Sequence, residues 1–468
     1  MNPSSSSRFS RRNWLRSAST LTAGLGLGVS PPPLRALPNS TLEIGLIGVG
    51  VRGKYLLSNL PETVRVTALC DCSRAKIETA LNPKREFAEA LAAFAAGPGR
   101  ACRLFQDYRR MLTEMQLDAV IIAAPDHHHA SAAIAALKAG CHVYVEKPLS
   151  VTIGEGRAMV AAAEKYQRVV QVGSQQRSMR VNQVACEFIR HGGLGHIHLV
   201  EERNLPGPMP YDPQVYPAAP LPSDMDWDLF CGPTPWRPYH PDLWLKEEYK
   251  VGSLLWRGWD LFQDYSGHLM TNWGAHSLDM VQSALGMDSS GPRRIEPLLE
   301  VDPAWDEEWA AKTPPLGSSR DPQADQARFR AVRLFYDQGT EVRLVPGIKH
   351  TVFHGEKGTL RMGRNFYECD PGNLLPPMKA EDQQAWEGAG HVARPHLENW
   401  IDAIHGRASL RAPLEVGHRS ATVCHLANLA RQLGETLRWD PRQESFLESG
   451  SAAHFIHRPR RPGFELEG

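Results

Sequence analysis

Apolar and polar positions follow two different textures along the chain. From Thr41 onward, short apolar runs are separated by glycine turns and helical stretches: "LEIGLIG" at 42–48, "VRVTALCD" at 64–71, "LDAVIIAAP" at 117–125 and "CHVYVEKP" at 141–148. Nearly continuous apolar runs of this length predict strands buried on both faces. Between the third and fourth lies "HASAAIAALKAG", a helical pattern closing at Gly140, where a helix C-cap belongs. Strands alternating with helices predict a doubly wound α/β domain with a parallel sheet over residues 41–165.

After "QRVVQVGSQQR" the texture changes. The helical pattern "VNQVACEFIRHGGLG" leads into the strand "HIHLVEERN", which opens a second domain over residues 166–445. Residues 204–260, rich in proline and tryptophan, read as long loops, 302–326 as a surface insertion and 365–390 as loop. "FRAVRLFYDQGTEVRLVPG" predicts two strands around a turn at Gln338 and Gly339, and "HTVFHGEKGTLRM" a second pair. "HLENWIDAIHG" and "SATVCHLANLARQLG" predict amphipathic helices, each stopped by glycine, and 446–468 reads as a tail.

With 468 residues, of which 42% are hydrophobic, the chain is large enough for two or three ordinary domains. Its 52 basic and 52 acidic residues cancel, which argues against a general nucleic-acid-binding surface. The eight cysteines are scattered without zinc-site spacing, and Cys70 and Cys72 alternate along one strand, so no disulfide scaffold is expected.

The leader, residues 1–40, changes the picture. It has no acidic residue, and Arg8, Arg11, Arg12 and Arg16 precede the uncharged stretch Ser17–Val29, which is too short and glycine-rich to span a bilayer. "SRRNWLR" ahead of that stretch resembles a twin-arginine export signal, read by a machine that moves folded proteins. The protein is therefore expected outside the cytoplasm, in the periplasm or beyond, with no membrane span.

Gly48-Val-Gly50-Val51-Arg52-Gly53 follows a strand and opens a helix. In that context the first glycine makes the tight turn, the second lets the backbone approach a pyrophosphate, and the third lets helix and strand pack closely. Asp71 closes the next strand. A carboxylate there accepts from ribose hydroxyls and repels a 2′-phosphate, favouring NAD, while nearby Ser73 and Arg74 leave NADP open.

Together with "DAVIIAAPDHHHA", "HVYVEKPLS", "YSGHLMTNWGAHSLDM" and "LEVGHRSATVCHLANLARQLG", this loop gives a recognisable whole. The chain resembles the glucose–fructose oxidoreductase/inositol dehydrogenase/MocA family of NAD(P)-dependent enzymes, and a secreted branch of it, from residue 41 to about 445. The resemblance implies an N-terminal Rossmann domain and a C-terminal α/β domain with a large, mostly antiparallel open sheet. The outer face of that sheet often mediates oligomerisation, so a homodimer or tetramer is expected.

The implied activity is oxidation of a hydroxyl on a sugar, cyclitol or glycoside. Lys147 is the candidate base, aimed inward by a cis Lys147–Pro148 peptide, and His276, titrating near neutrality, is a proton shuttle. Many relatives carry Asp where this chain has Asn272, and Gly where it has His268; Asn272 can bind a hydroxyl but cannot take a proton. Ala124, Pro125, His127, His129, Glu146 and Gln175 join the glycine loop as expected cofactor contacts, and Arg177, Tyr265 and Trp273 as substrate contacts. The adjacent His127, His128 and His129 cannot easily converge on one ion, so no metal is expected.

An exported enzyme cannot replace a lost nucleotide, so the cofactor is expected to be retained and recycled. Recycling suits sugar–sugar oxidoreduction, or a redox-neutral glycosidase that oxidises, eliminates, hydrates and reduces back. A third reading is a non-catalytic sugar-binding relative.

Overall fold

The computed structural model describes residues 41–468 apart from 85–86, 215, 245–257, 301–325, 365, 378–392, 449 and 467–468. The expected leader, and nearly all of the expected insertion at 302–326, lie outside the described residues.

Residues 42–172 build a six-stranded sheet: β1 (Leu42–Ile47), β2 (Val64–Cys70), β3 (Arg103–Phe105), β4 (Ala119–Ile122), β5 (His142–Val145) and β6 (Val170–Val172). Its order is β3-β2-β1-β4-β5-β6, with every pair parallel. β6 lies beyond the expected boundary at 165. The three-residue β3 is too short to register as an apolar run.

Alternation explains why this sheet is covered twice. Val120, Ile122, Val143 and Val145 point to one face, under the helices His129–Lys138 and Ile153–Tyr166. Ala119, Ile121 and Tyr144 point to the other, where they meet Leu56 and Leu57 of the helix Val51–Ser58. The helix Arg394–Ile404 returns from far along the chain to the same face, burying Leu397, Trp400 and Ile401.

The second sheet has nine strands: β7 (Ile197–Arg203), β8 (Arg294–Pro297), β9 (Val332–Phe335), β10 (Glu341–Val345), β11 (Thr351–Gly355), β12 (Gly358–Met362), β13 (Tyr367–Asp370), β14 (Leu437–Asp440) and β15 (Ser445–Phe446). The order is β13-β12-β11-β7-β10-β9-β8-β14-β15, and only β7 and β10 pair in parallel. Val342, Leu344, Phe353 and Leu360 face a core shared with the helices Arg180–Arg190, Gly274–Ala284 and Leu414–Leu433. Arg333, Glu341 and Arg343 alternate to the other face and pair with one another. β13 falls in a stretch expected to be loop.

Between β7 and the helix Gly274–Ala284, described residues from Met209 to Tyr265 build a small aromatic core around Tyr211, Trp227, Phe230, Phe262 and Tyr265. The expected tail is also ordered: Arg458 and Arg460 reach buried Glu155, and Arg458 donates to the carbonyl of Asp264. Among the described residues no helix is long and apolar enough to cross a membrane.

Candidate active site

The strand order reverses between β1 and β4, so a crevice opens at their carboxyl ends. The glycine loop fills that position. Gly48 has φ 90°, and a Cβ there would lie 2.5 Å from the backbone of Ala123 and Ala124. A Cβ on Gly53 would lie 2.1 Å from the Gly48 oxygen, whereas one on Gly50 would meet nothing within 4 Å. Two glycines thus permit close packing, and the third leaves room in front of the helix Val51–Ser58, whose first amides suit a phosphate.

Asp71 ties this loop to β2. Its Oδ2 accepts from the Val49 amide at 2.8 Å and its Oδ1 from the Ser73 amide at 3.0 Å. Burial pushes its pKa up, and the two amides act in the opposite direction. The carboxylate borders the crevice, as a ribose-binding group must.

One cavity of about 370 Å³ runs along the crevice. Gly48, Gly50, Val51, Arg52, Asp71, Ala124, Pro125, His129, Glu146, Lys147, Gln175, Asn272, Trp273 and His276 all line it. The second domain supplies the last three through two consecutive helices, His268–Asn272 and Gly274–Ala284. Lys147 Nζ donates to Asn272 Oδ1 at 2.8 Å and to the Asn272 carbonyl at 3.3 Å. Burial lowers the lysine pKa to about 8, against the opposing pull of Glu146 and Asp126. The Lys147–Pro148 peptide is cis.

Glu146 is held from three sides. Arg52 Nε donates to it at 2.8 Å, Gln175 Nε2 at 2.8 Å and Tyr144 Oη at 3.5 Å. A Cβ on Gly173 would lie 2.7 Å from the Glu146 carboxyl carbon, so the residue after β6 also needs to be glycine. Glu146 thereby links the glycine loop to the lysine segment.

Several expectations are corrected. Arg177 does not reach the cavity: its Nε lies 2.9 Å from both oxygens of buried Asp279, and an Nη donates to Asp288. That ion pair commits the guanidinium to joining the turn Gln175–Ser178 to the helix Gly274–Ala284. Tyr265 is fully buried in the aromatic core, edge-on to His127 with centroids 4.9 Å apart, and neither lines the cavity. His276 is not poised near neutrality: burial, then Arg364, Lys147 and Arg52, hold its pKa well below the usual value, so the ring is neutral. His268 has φ 55°, a left-handed conformation suited to the glycine of relatives.

One lining residue, Arg364, has no mark in the sequence. Arg364 stands over the Trp273 ring, 4.6 Å from its centroid, and burial followed by Arg52 lowers its pKa to about 10. Asp126 accepts from Ser266 Oγ at 2.6 Å. Trp244 and Trp259 line the cavity, Trp227 is core and Trp236 is exposed, while Trp256 lies outside the described residues.

Fold and crevice together define a protein with a dinucleotide-binding Rossmann domain. A family model described as an oxidoreductase family with an NAD-binding Rossmann fold matches residues 42–174, and its companion C-terminal alpha/beta domain matches 319–466. The chain belongs to this GFO/IDH/MocA family. It is 31% identical over 172 residues to a "Glycosyl hydrolase family 109 protein" of Solibacter usitatus (strain Ellin6076), covering 34% of this chain and 38% of that protein. It is 29% identical over 168 residues to an "Inositol 2-dehydrogenase" of Salmonella paratyphi B (strain ATCC BAA-1250 / SPB7), covering 35% of this chain and 46% of that one. The matches thus span less than half of each relative. The solved scyllo-inositol dehydrogenase from Lactobacillus casei, with bound NAD(H) and scyllo-inositol, shares the fold at TM-score 0.54 and 16% identity, covering 85% of this chain and 99% of that chain.

Proposed function

We propose that the protein is an NAD-dependent oxidoreductase acting on a secondary hydroxyl of a sugar, cyclitol or glycoside. The observation carrying this is the buried lysine whose Nζ donates to Asn272 Oδ1 at 2.8 Å in the cavity that the glycine loop opens into; burial lowers its pKa to about 8. Bound NAD⁺ supplies the hydride acceptor. Lys147, as the neutral amine, takes the hydroxyl proton while the carbinol carbon loses hydride and becomes a carbonyl. Asn272 orients the amine, and neutral His276 hydrogen-bonds the substrate oxygen. Arg52 and Gln175 hold Glu146, and through it the segment bearing Lys147.

The leader motif supports export of the folded protein with its nucleotide already bound, and hence a retained, internally recycled cofactor. The charged outer face of the nine-stranded sheet is the surface we assign to self-association. Similarity to the family 109 glycosyl hydrolase favours a second reading, in which transient oxidation acidifies the neighbouring C–H, the glycosidic group leaves, water adds and the carbonyl is reduced again.

The test starts with purified protein, denatured and assayed for released nucleotide. Incubation with a panel of sugars and glycosides, followed by nicotinamide absorbance, then separates net oxidation from recycling. Free sugar released from a glycoside with no lasting absorbance change identifies the hydrolytic route. Full activity in Lys147→Ala would remove the catalytic assignment.

A further inference from the structure

We propose that residues 224–232, which belong to the second domain, are part of the cofactor site: they clamp the adenosine half of the dinucleotide and set how fast it leaves. This rests on the retained-cofactor reading above. In an open doubly wound sheet the adenosine lies at the carboxyl end of β2, facing solvent. Here that edge is roofed.

One end of the clamp is bonded to the β2 edge. The Asp226 amide donates to Cys72 O at 2.9 Å, and the Arg74 amide to Asp224 O at 3.0 Å. Ser73 and Met225 form an antiparallel bridge. The Asp224 carboxylate accepts from Ser73 Oγ at 2.8 Å and from the Ala75 amide at 3.3 Å. Gln106 Nε2 donates to both Cys72 O at 2.9 Å and Asp224 O at 3.3 Å.

The other end is bonded to the histidine run after β4. Phe230 O accepts from Nε2 of His127 at 2.8 Å and from Nε2 of His128 at 2.9 Å. Gly232 sits so close that a Cβ would lie 2.2 Å from His128 Cε1. The three-histidine motif thus has a role that is neither metal binding nor catalysis: two of its rings hold this roof. Between the two anchors, Leu229 and Phe230 line the crevice that Asp71 also lines, and Trp244 joins them. The roof is apolar and aromatic, Lys76 Nζ stands 5.3 Å from the Trp244 ring centroid, and Asp71 lies along the same crevice, a set that suits a purine face and ribose hydroxyls.

With both ends tied to the first domain, nucleotide cannot leave sideways without parting the bonds at Asp224. The experiment measures release of NADH from the full-length protein, by dilution into an enzyme system that consumes free NADH. Release from the wild type should be slower than turnover, and Asp224→Ala, which removes a charged acceptor from two donors, should speed it about ten-fold or more. Slow release in both proteins overturns the clamp and leaves the retained-cofactor reading standing; fast release in the wild type overturns both. Should Asp224→Ala not fold, hydrogen exchange on the wild type decides: the amides of 224–232 must exchange more slowly after loading with NAD, and unchanged exchange overturns the clamp.

Discussion

Lys147 Nζ stands 2.8 Å from Oδ1 of Asn272 and 3.3 Å from the carbonyl oxygen of the same residue. Two acceptors account for both hydrogens of a neutral amine, and the lone pair points in a third direction. A carboxylate in place of the amide would instead favour the ammonium form, by about 1–3 pKa units at this distance. Asn272→Asp is therefore expected to move the rising limb of single-turnover hydride transfer to higher pH and to cut the rate at pH 7 roughly ten-fold or more. An unmoved limb would show that Asn272 does not tune the lysine.

The wild-type limb has a definite sign. Because the amine must be neutral to take a proton and its pKa is lowered to about 8, oxidation should rise with pH, reach half its plateau near 8 and then level off. His276 is neutral over the same range, so no second limb should appear near the ordinary histidine value. A pH profile of nicotinamide reduction in a single turnover checks both statements.

Gly53→Ala should empty the protein of nucleotide. The new methyl would sit 2.1 Å from the Gly48 oxygen, so the loop must shift, at a cost of about 1–3 kcal/mol. Nucleotide content after denaturation and a lowered melting temperature are the readouts. The same substitution at Gly50, where the space is open, should lower nucleotide affinity with far less loss of stability.

Arg177→Met separates a structural ion pair from a substrate contact. Buried Asp279 would lose its cationic partner and keep the Ser420 hydroxyl, an effect of roughly 3–5 kcal/mol on unfolding. KM measured on the folded fraction should stay put. A large rise in KM without destabilisation would restore Arg177 to the substrate site.

Contiguous patterns made much of this readable in advance. The glycine loop, Asp71 and the lysine after β5 each sit within a few residues of a strand end, so alternation and turn chemistry locate them together. Arg177 could not be read that way, because Asp279 lies 102 positions away and nothing local marks the pair. Arg364 comes from beyond a hairpin with no periodic signal. The neutrality of His276 depends first on burial and then on cations from three separate segments, which only the folded chain brings together. The histidine run was visible, but the Phe230 carbonyl that gives it a purpose was not.

Glu155 and Arg458 stand 303 positions apart in the chain. At a synthesis rate of about 5–20 residues per second, the carboxylate waits roughly 15–60 s for its guanidinium. During that interval the first domain can already be shaped on the ribosome, while Arg458, which donates to the His127 carbonyl at 3.3 Å, has still to be made.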